Sequence, residues 1–370
     1  MTADRRFADM LHHRAERLGR GDPVAPPLIS ATTFHLPGLE NAAYKYGRMA
    51  MPTWEEVEEQ LAILEGATVV GFPSGMAAIA AALMCTLSAG QTVILPADGY
   101  YTTRVLADRF LVPMGVQVRL IDTKDVDSAD FTGAGVVFLE TPSNPGLDCC
   151  DISLAARKAH AAGARLIVDN TTMTALLQRP LDLGADLVVA ADTKAPAGHS
   201  DVLYGHVSGR DAHLMARIAE WRKLSGSVPG AFEAWLLHRG LETLEVRLAR
   251  MCSSAQTIAE RLAEHPRIKA LRYPGLPSDP AHALAKRQMS GFGFLMSFEL
   301  EGEEKAEEFL TRCAYVTQTT SFGGTHSAGE RRARWGDAVA PGFIRFSVGV
   351  EPVEPLWDAI EQALKSHSLG

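Results

Sequence analysis

The chain has 370 residues, 46% hydrophobic and 22% charged, too long for one ordinary core and apolar enough to build two. A net charge of -8, with no basic patch interleaved with aromatics, excludes general nucleic-acid binding. Five cysteines (Cys85, Cys149, Cys150, Cys252, Cys313) form no zinc or C-x-x-C spacing, and with no run near the about 18 apolar residues of a membrane span they point to reduced thiols in the cytoplasm.

Residues 1–52 carry Pro23, Pro26, Pro27, Pro37 and Pro52 and little helical period, so they read as an extended arm. Leu28, Ile29, Phe34, Tyr44 and Tyr46 favour docking of that arm over disorder. A helix follows from Pro52, with the capping-box spacing Thr53 to Glu56, an apolar face of Val57, Leu61 and Leu64, and Gly66 as its end. Strand 68–72 then turns through Pro73-Ser74-Gly75-Met76 into an Ala-rich helix. Gly75 allows close backbone approach, and the free amides of a helix start can bind a phosphate; alone, the turn is only a turn.

Strand 92–96 leads to Tyr100 and Tyr101, where an aromatic can stack on a flat heterocycle or simply fill a core. A helix at 103–111, strands at 116–121 and 135–139, and the turn Glu140-Thr-Pro-Ser-Asn-Pro145 come next. Two prolines make that turn rigid enough to aim Asn144 at a ligand, or make it rigid and nothing more. After a helix at 153–162, two β-branched runs end in polar residues: Leu166-Ile-Val-Asp169, and Leu187-Val-Val-Ala-Ala-Asp-Thr-Lys194. Such runs read as buried parallel strands that deliver Asp169 and Lys194 at their carboxyl ends, where open α/β sheets place ligands. A desolvated lysine can form a Schiff base and a strand-end acid can pair with a protonated ring nitrogen, the pairing pyridoxal phosphate requires. The bland alternatives are a helix cap and a solvated loop lysine.

Alternating strands and helices predict a doubly wound, mainly parallel sheet over residues 53–250. Helical segments at 213–239 and 244–262 lead to a boundary near Met251. Residues 251–370, with strands at 268–273, 292–300 and 343–348 and helices at 303–313 and 353–365, read as a smaller α+β domain. Arg345 interrupts the last apolar strand. A guanidinium there needs a paired charge, either a substrate carboxylate or a structural salt bridge.

Six motifs in order, Tyr46-Gly-Arg48 with Pro52-Thr53, Ser74-Gly-Met76, Glu140–Pro145, Val168-Asp-Asn-Thr171, Thr193-Lys194 with Gly198-His-Ser-Asp201, and Arg345-Phe-Ser-Val-Gly349, span nearly the whole chain. Together they resemble the Cys/Met-metabolism family of pyridoxal-phosphate enzymes of fold type I, the cystathionine synthases and lyases. The resemblance implies that Lys194 carries the cofactor and moves protons, that Asp169 holds the ring nitrogen charged, and that Tyr100 stacks on the ring. It gives Gly75, Met76 and Thr193 to the phosphate and sends Tyr46 and Arg48 of the arm to a neighbouring subunit's phosphate. The implied assembly is a dimer with shared sites, paired into a tetramer. Ser321 and Arg345 would grip the α-carboxylate of an amino-acid substrate.

Three positions depart from the family pattern. Ala191 stands where a phosphate-binding serine is usual, His326 where a glutamate reads the distal part of the substrate, and Thr102 where methionine-degrading members carry cysteine. The expected reaction is α,γ-elimination from cystathionine, giving cysteine, 2-oxobutanoate and ammonia. A γ-replacement on an O-acyl homoserine and a β-lyase are the alternatives. A nicotinamide-dependent dehydrogenase is disfavoured because no G-x-G-x-x-G follows the early strands, and a binding module without activity because Lys194, Asp169 and Arg345 are all present.

Overall fold

The computed structural model describes residues 3–38 and 41–365. The outer ends of the expected arm and small domain, residues 1–2 and 366–370, and residues 39–40 within the arm lie outside the described residues. Among the described residues, seven strands form the large sheet: β1 (Thr68–Phe72), β2 (Thr92–Pro96), β3 (Gln117–Ile121), β4 (Ala134–Glu140), β5 (Arg165–Asp169), β6 (Leu187–Ala190) and β7 (Gly205–Gly209). Their spatial order is β1-β7-β6-β5-β4-β2-β3. All run parallel except β7, which is antiparallel to both neighbours. The expected α/β fold with a mainly parallel sheet is the one observed.

Alternating side chains send apolar residues to both faces, as a buried parallel sheet demands. Val136, Phe138, Ile167 and Val189 pack with Ala78, Ala82 and Ile218 on one side. Val137, Leu139, Leu166 and Val168 pack with Ile152, Ala155 and Ala159 on the other. This double cover fixes the strand ends that hold the site.

A second sheet of β8 (Lys269–Arg272), β9 (Leu295–Glu299), β10 (Thr317–Gln318), β11 (Ala328–Arg331) and β12 (Phe343–Ser347) has the order β10-β11-β12-β9-β8. The helix Leu244–Ala263 crosses the expected boundary. Leu244, Leu248 and Met251 join a core shared with Trp54 and Leu61, whereas Ala255, Ile258, Ala259 and Leu262 join the core over the second sheet.

Several sequence expectations are corrected. Residues 3–12 are not extended: α1 (Ala3–His12) buries Phe7 and Met10 in the same core as Trp54 and Val57 of α2 (Pro52–Glu65). An amphipathic spacing of Phe7 and Met10 outweighs the proline-rich stretch behind it. The capping box at the start of α2 does not form, because the Thr53 hydroxyl donates to Ile29 O and accepts from Ile29 N at 3.0 and 2.9 Å. Met51 is the N-cap instead. The segment 103–111 is a short α-helix, Tyr101–Leu106, followed by a π-turn, Ala107–Leu111. The long helical reading of 213–239 is two helices, Ala212–Ser225 and Ala231–Leu241.

Candidate active site

The carboxyl ends of β4, β5 and β6 open into a cavity of about 520 Å³ lined by side chains of both sheets. Asp169 ends β5 and Glu140 ends β4, and the two are register partners on adjacent strands. Both are buried, and both line the cavity. Asp169 Oδ1 accepts from Thr171 N at 2.9 Å. Glu140 Oε2 accepts from Tyr100 N at 2.6 Å, which ties the expected stacking tyrosine to the floor. Burial pushes both carboxyls up, and the charge of Asp169 pushes Glu140 further.

Lys194 follows β6 across the same opening. Its Nζ donates to Ser321 Oγ at 3.0 Å and lies 4.9 Å from the Phe322 ring centroid. Burial, then the charge of Arg345, lowers its pKa to about 8, against the opposing pull of Asp169 and Glu330. An amine near 8 is neutral often enough near physiological pH to act as a nucleophile and to exchange protons.

The phosphate end expected from Ser74-Gly75-Met76 is the start of α3 (Gly75–Thr86), capped by Ser74 Oγ, which accepts from Ala77 N at 3.1 Å. Packing here leaves no room for a side chain at two glycines. A Cβ on Gly75 would lie 2.6 Å from Ala191 Cβ, and one on Gly205 would lie 2.6 Å from Gly75 N. Gly75, Met76, Ala191 and Thr193 line the cavity. The Thr193 hydroxyl accepts from Tyr204 N at 3.0 Å and donates to Tyr204 O at 3.2 Å, so it also anchors its own loop.

Arg345 on β12 reaches in from the second sheet. Nη1 donates to Asn144 Oδ1 at 2.7 Å, and Nη2 donates to Thr320 O at 2.6 Å and to Glu330 Oε2 at 3.0 Å. Asn144 therefore steadies the Arg345 fork, besides lining the cavity. Of the two readings offered for Arg345, the structural salt bridge is present in the pair with Glu330, and the fork also lines the cavity.

Three expected residues stand elsewhere. Tyr46 and Arg48 lie outside the lining of this chain's cavity; Arg48 is exposed, and its Nη1 donates to Lys223 O at 2.7 Å. His326 is exposed and likewise outside the lining. Sequence reasoning passed over Glu140 as part of a turn motif and missed Glu330, Arg332 and Trp335. Glu140 carried a signal, an acid ending a strand beside another strand that ends in an acid. Glu330 carried none.

Behind the Lys194 loop lies a buried ion cluster. His206 Nδ1 is 2.8 Å from Asp192 Oδ2, and Nε2 is 3.3 Å from Glu65 Oε1. Burial alone would lower the His206 pKa, but Asp192 and Glu65 hold it up at about 10. Among the described residues one group could hold a metal ion, His13, Glu56 and Glu59. His13 and Arg17 already pair with its acids. No helix among the described residues is long and apolar enough to cross a membrane.

A half-buried lysine, two buried carboxylates with no ion pair among the described residues, and a helix start with a glycine at its first position match the donor set pyridoxal phosphate needs. The fold and this site define a pyridoxal-phosphate-dependent enzyme. Residues 9–365 match the family model for Cys/Met metabolism PLP-dependent enzymes, and the chain belongs to that family. It is 46% identical to a Streptomyces coelicolor protein described as "Putative cystathionine gamma-lyase", over 95% of this chain and 92% of that one. It is 36% identical to the cystathionine beta-lyase MetC of Bacillus subtilis, over 96% and 95%. The crystal structure of cystathionine gamma synthase from Xanthomonas oryzae pv. oryzae in complex with cystathionine superposes with a TM-score of 0.93 at 34% identity, covering 97% of each chain.

Proposed function

We propose that this enzyme is a C–S lyase that cleaves cystathionine by α,γ-elimination, with water, to cysteine, 2-oxobutanoate and ammonia. The observation that carries the choice is the higher identity to the Streptomyces protein, 46%, than to the β-lyase, 36%, or the synthase, 34%. Thr102, in place of the cysteine of methionine-degrading members, agrees with it.

The division of labour follows from position. Bound pyridoxal phosphate supplies a sink for the electron pair released at the substrate Cα. Asp169, aided by its buried neighbour Glu140, would hold a proton on the ring nitrogen. Tyr100 would cover the ring, and Gly75, Met76 and Thr193 would hold the phosphate. Lys194 would anchor the cofactor and take the Cα proton, with Ser321 fixing its amine in the resting site. Arg345, with Asn144, would receive the α-carboxylate. In this reading Tyr46 and Arg48, absent from their own cavity, complete a neighbouring subunit's phosphate site, and His326 faces the distal substrate group only in that assembly.

A product assay tests the reaction. Cystathionine should give 2-oxobutanoate and cysteine in equal amounts. Pyruvate with homocysteine would instead make the enzyme a β-lyase. Cystathionine formed from cysteine and O-succinylhomoserine, faster than it is cleaved, would make it a γ-synthase.

A further inference from the structure

Glu330 stands on β11 directly across from Arg345 on β12 and is 1% exposed. Its two oxygens serve different groups. Oε2 accepts from Arg345 Nη2 at 3.0 Å and from Arg332 Nη1 at 2.7 Å. Oε1 accepts from the indole Nε1 of Trp335 at 2.5 Å and from Arg334 Nη2 at 3.4 Å. Arg332 and Trp335 belong to the short turn Arg332–Trp335, and both line the cavity. Arg332 is closed off on its other side by Asp337 at 2.7 Å. One buried carboxylate thus joins the Arg345 fork to the turn beside it.

Arg345, Arg332 and Arg334 face the carboxylates of Glu330 and Asp337, so each charge at the fork has an opposite partner. A guanidinium already paired in this way binds an incoming carboxylate through the direction in which its remaining N–H groups point. Direction is what Glu330 controls, together with Asn144 and the Thr320 carbonyl.

We propose that Glu330 is a positioning residue for substrate recognition: it holds the Arg345 fork in the orientation that receives the α-carboxylate and hangs the Trp335 turn beside it. The proposal rests on the reading of Arg345 as the carboxylate site. It does not depend on which γ-substituent the enzyme accepts.

The test compares glycine with glycinamide, which lacks the carboxylate. Each is titrated into the holoenzyme, and binding is followed by the absorbance change of the bound cofactor. Glu330→Ala should weaken glycine on the order of tenfold or more, the cost of misdirecting a charged hydrogen bond. Glycinamide should stay within about twofold, a change worth less than one ordinary hydrogen bond. Glu330→Gln keeps the shape and one acceptor oxygen. It should weaken glycine by about threefold or more, still selectively, because a neutral acceptor bonds a guanidinium less strongly. It also carries the test if the alanine variant does not fold. Unchanged glycine binding in the folded variants, or equal weakening of glycine and glycinamide, would overturn the role of Glu330. Equal binding of the two probes by the unsubstituted enzyme would instead overturn the carboxylate reading of Arg345.

Discussion

The floor of the cavity and its far wall handle charge in opposite ways. On the floor, Asp169 and Glu140 end adjacent strands and make no ion pair among the described residues, and burial raises both. On the wall, Arg345 and Arg332 are each paired with carboxylates within 3.0 Å. An unpaired buried charge is tolerated only where something else recovers its cost. In the proposed reading, the floor receives a cationic ring that arrives with the cofactor. The wall's charges are already paired within the chain, and in the same reading it works by orientation. A third grouping, Asp192, His206 and Glu65 behind the Lys194 loop, resembles the wall: every member is buried and paired.

The sharpest test removes the floor's one amine. Lys194→Ala should lower turnover on the order of a thousandfold or more, since it takes away both the proposed anchor for the cofactor and the proposed proton acceptor at Cα. Steady-state assay at saturating cofactor measures this. Turnover within tenfold of the unsubstituted enzyme, about 1.4 kcal/mol of barrier, would mean that the floor does not carry the chemistry.

The next effect is on stability. His206→Gln leaves Asp192 and Glu65 facing each other without their cation, and breaking a buried pair of this kind costs about 3 kcal/mol. The folded pKa of His206, about 10, is raised above its ordinary 6.5. Its contribution is therefore fully present below pH 6.5 and lost as pH rises toward 10. Urea unfolding of both proteins at pH 6, 8 and 9.5 should show a gap that narrows with pH. A gap constant across that range would mean that His206 packs as a neutral ring.

How much of this was legible in sequence follows the same division. Asp169 and Lys194 end β-branched runs, and Arg345 breaks an apolar one, so each stands out against a period-2 or continuous pattern. The wall's other members do not. Ala-Gly-Glu-Arg on β11 has no apolar signature, because its burial comes from neighbouring strands rather than from its own side chains. β7, Gly-His-Val-Ser-Gly, hides for a similar reason: its glycines answer to the close approach of Gly75 and of Leu187, Met215 and Asp186. The ion cluster of Glu65, Asp192 and His206 joins residues far apart in the chain and leaves no local trace. Thr53 shows the reverse error, a correct capping spacing overridden when the Ile29 backbone takes the hydroxyl.

The smallest expected effect separates floor from cluster most directly, because it has the opposite sign. Glu140→Gln keeps an oxygen to accept from Tyr100 N and removes one of two adjoining buried acids. The Glu140 pKa is raised well above its ordinary 4.5, by burial first and the charge of Asp169 second. A carboxyl raised on folding costs no stability while it is protonated in both states. It becomes a liability as pH climbs above the unfolded value, because the unfolded chain then releases a proton that the folded one keeps. In cofactor-free protein, Glu140→Gln should therefore come close to the unsubstituted chain at pH 4.5 and exceed it at pH 7.5. Loading the cofactor should shrink or reverse that gain, since the ring's positive charge then has one carboxylate fewer beside it. Urea unfolding with and without pyridoxal phosphate measures both. If Glu140→Gln is less stable at pH 7.5 without the cofactor, Glu140 is a paired group like those of the wall, and the contrast between the two halves of the site fails at its most exposed point.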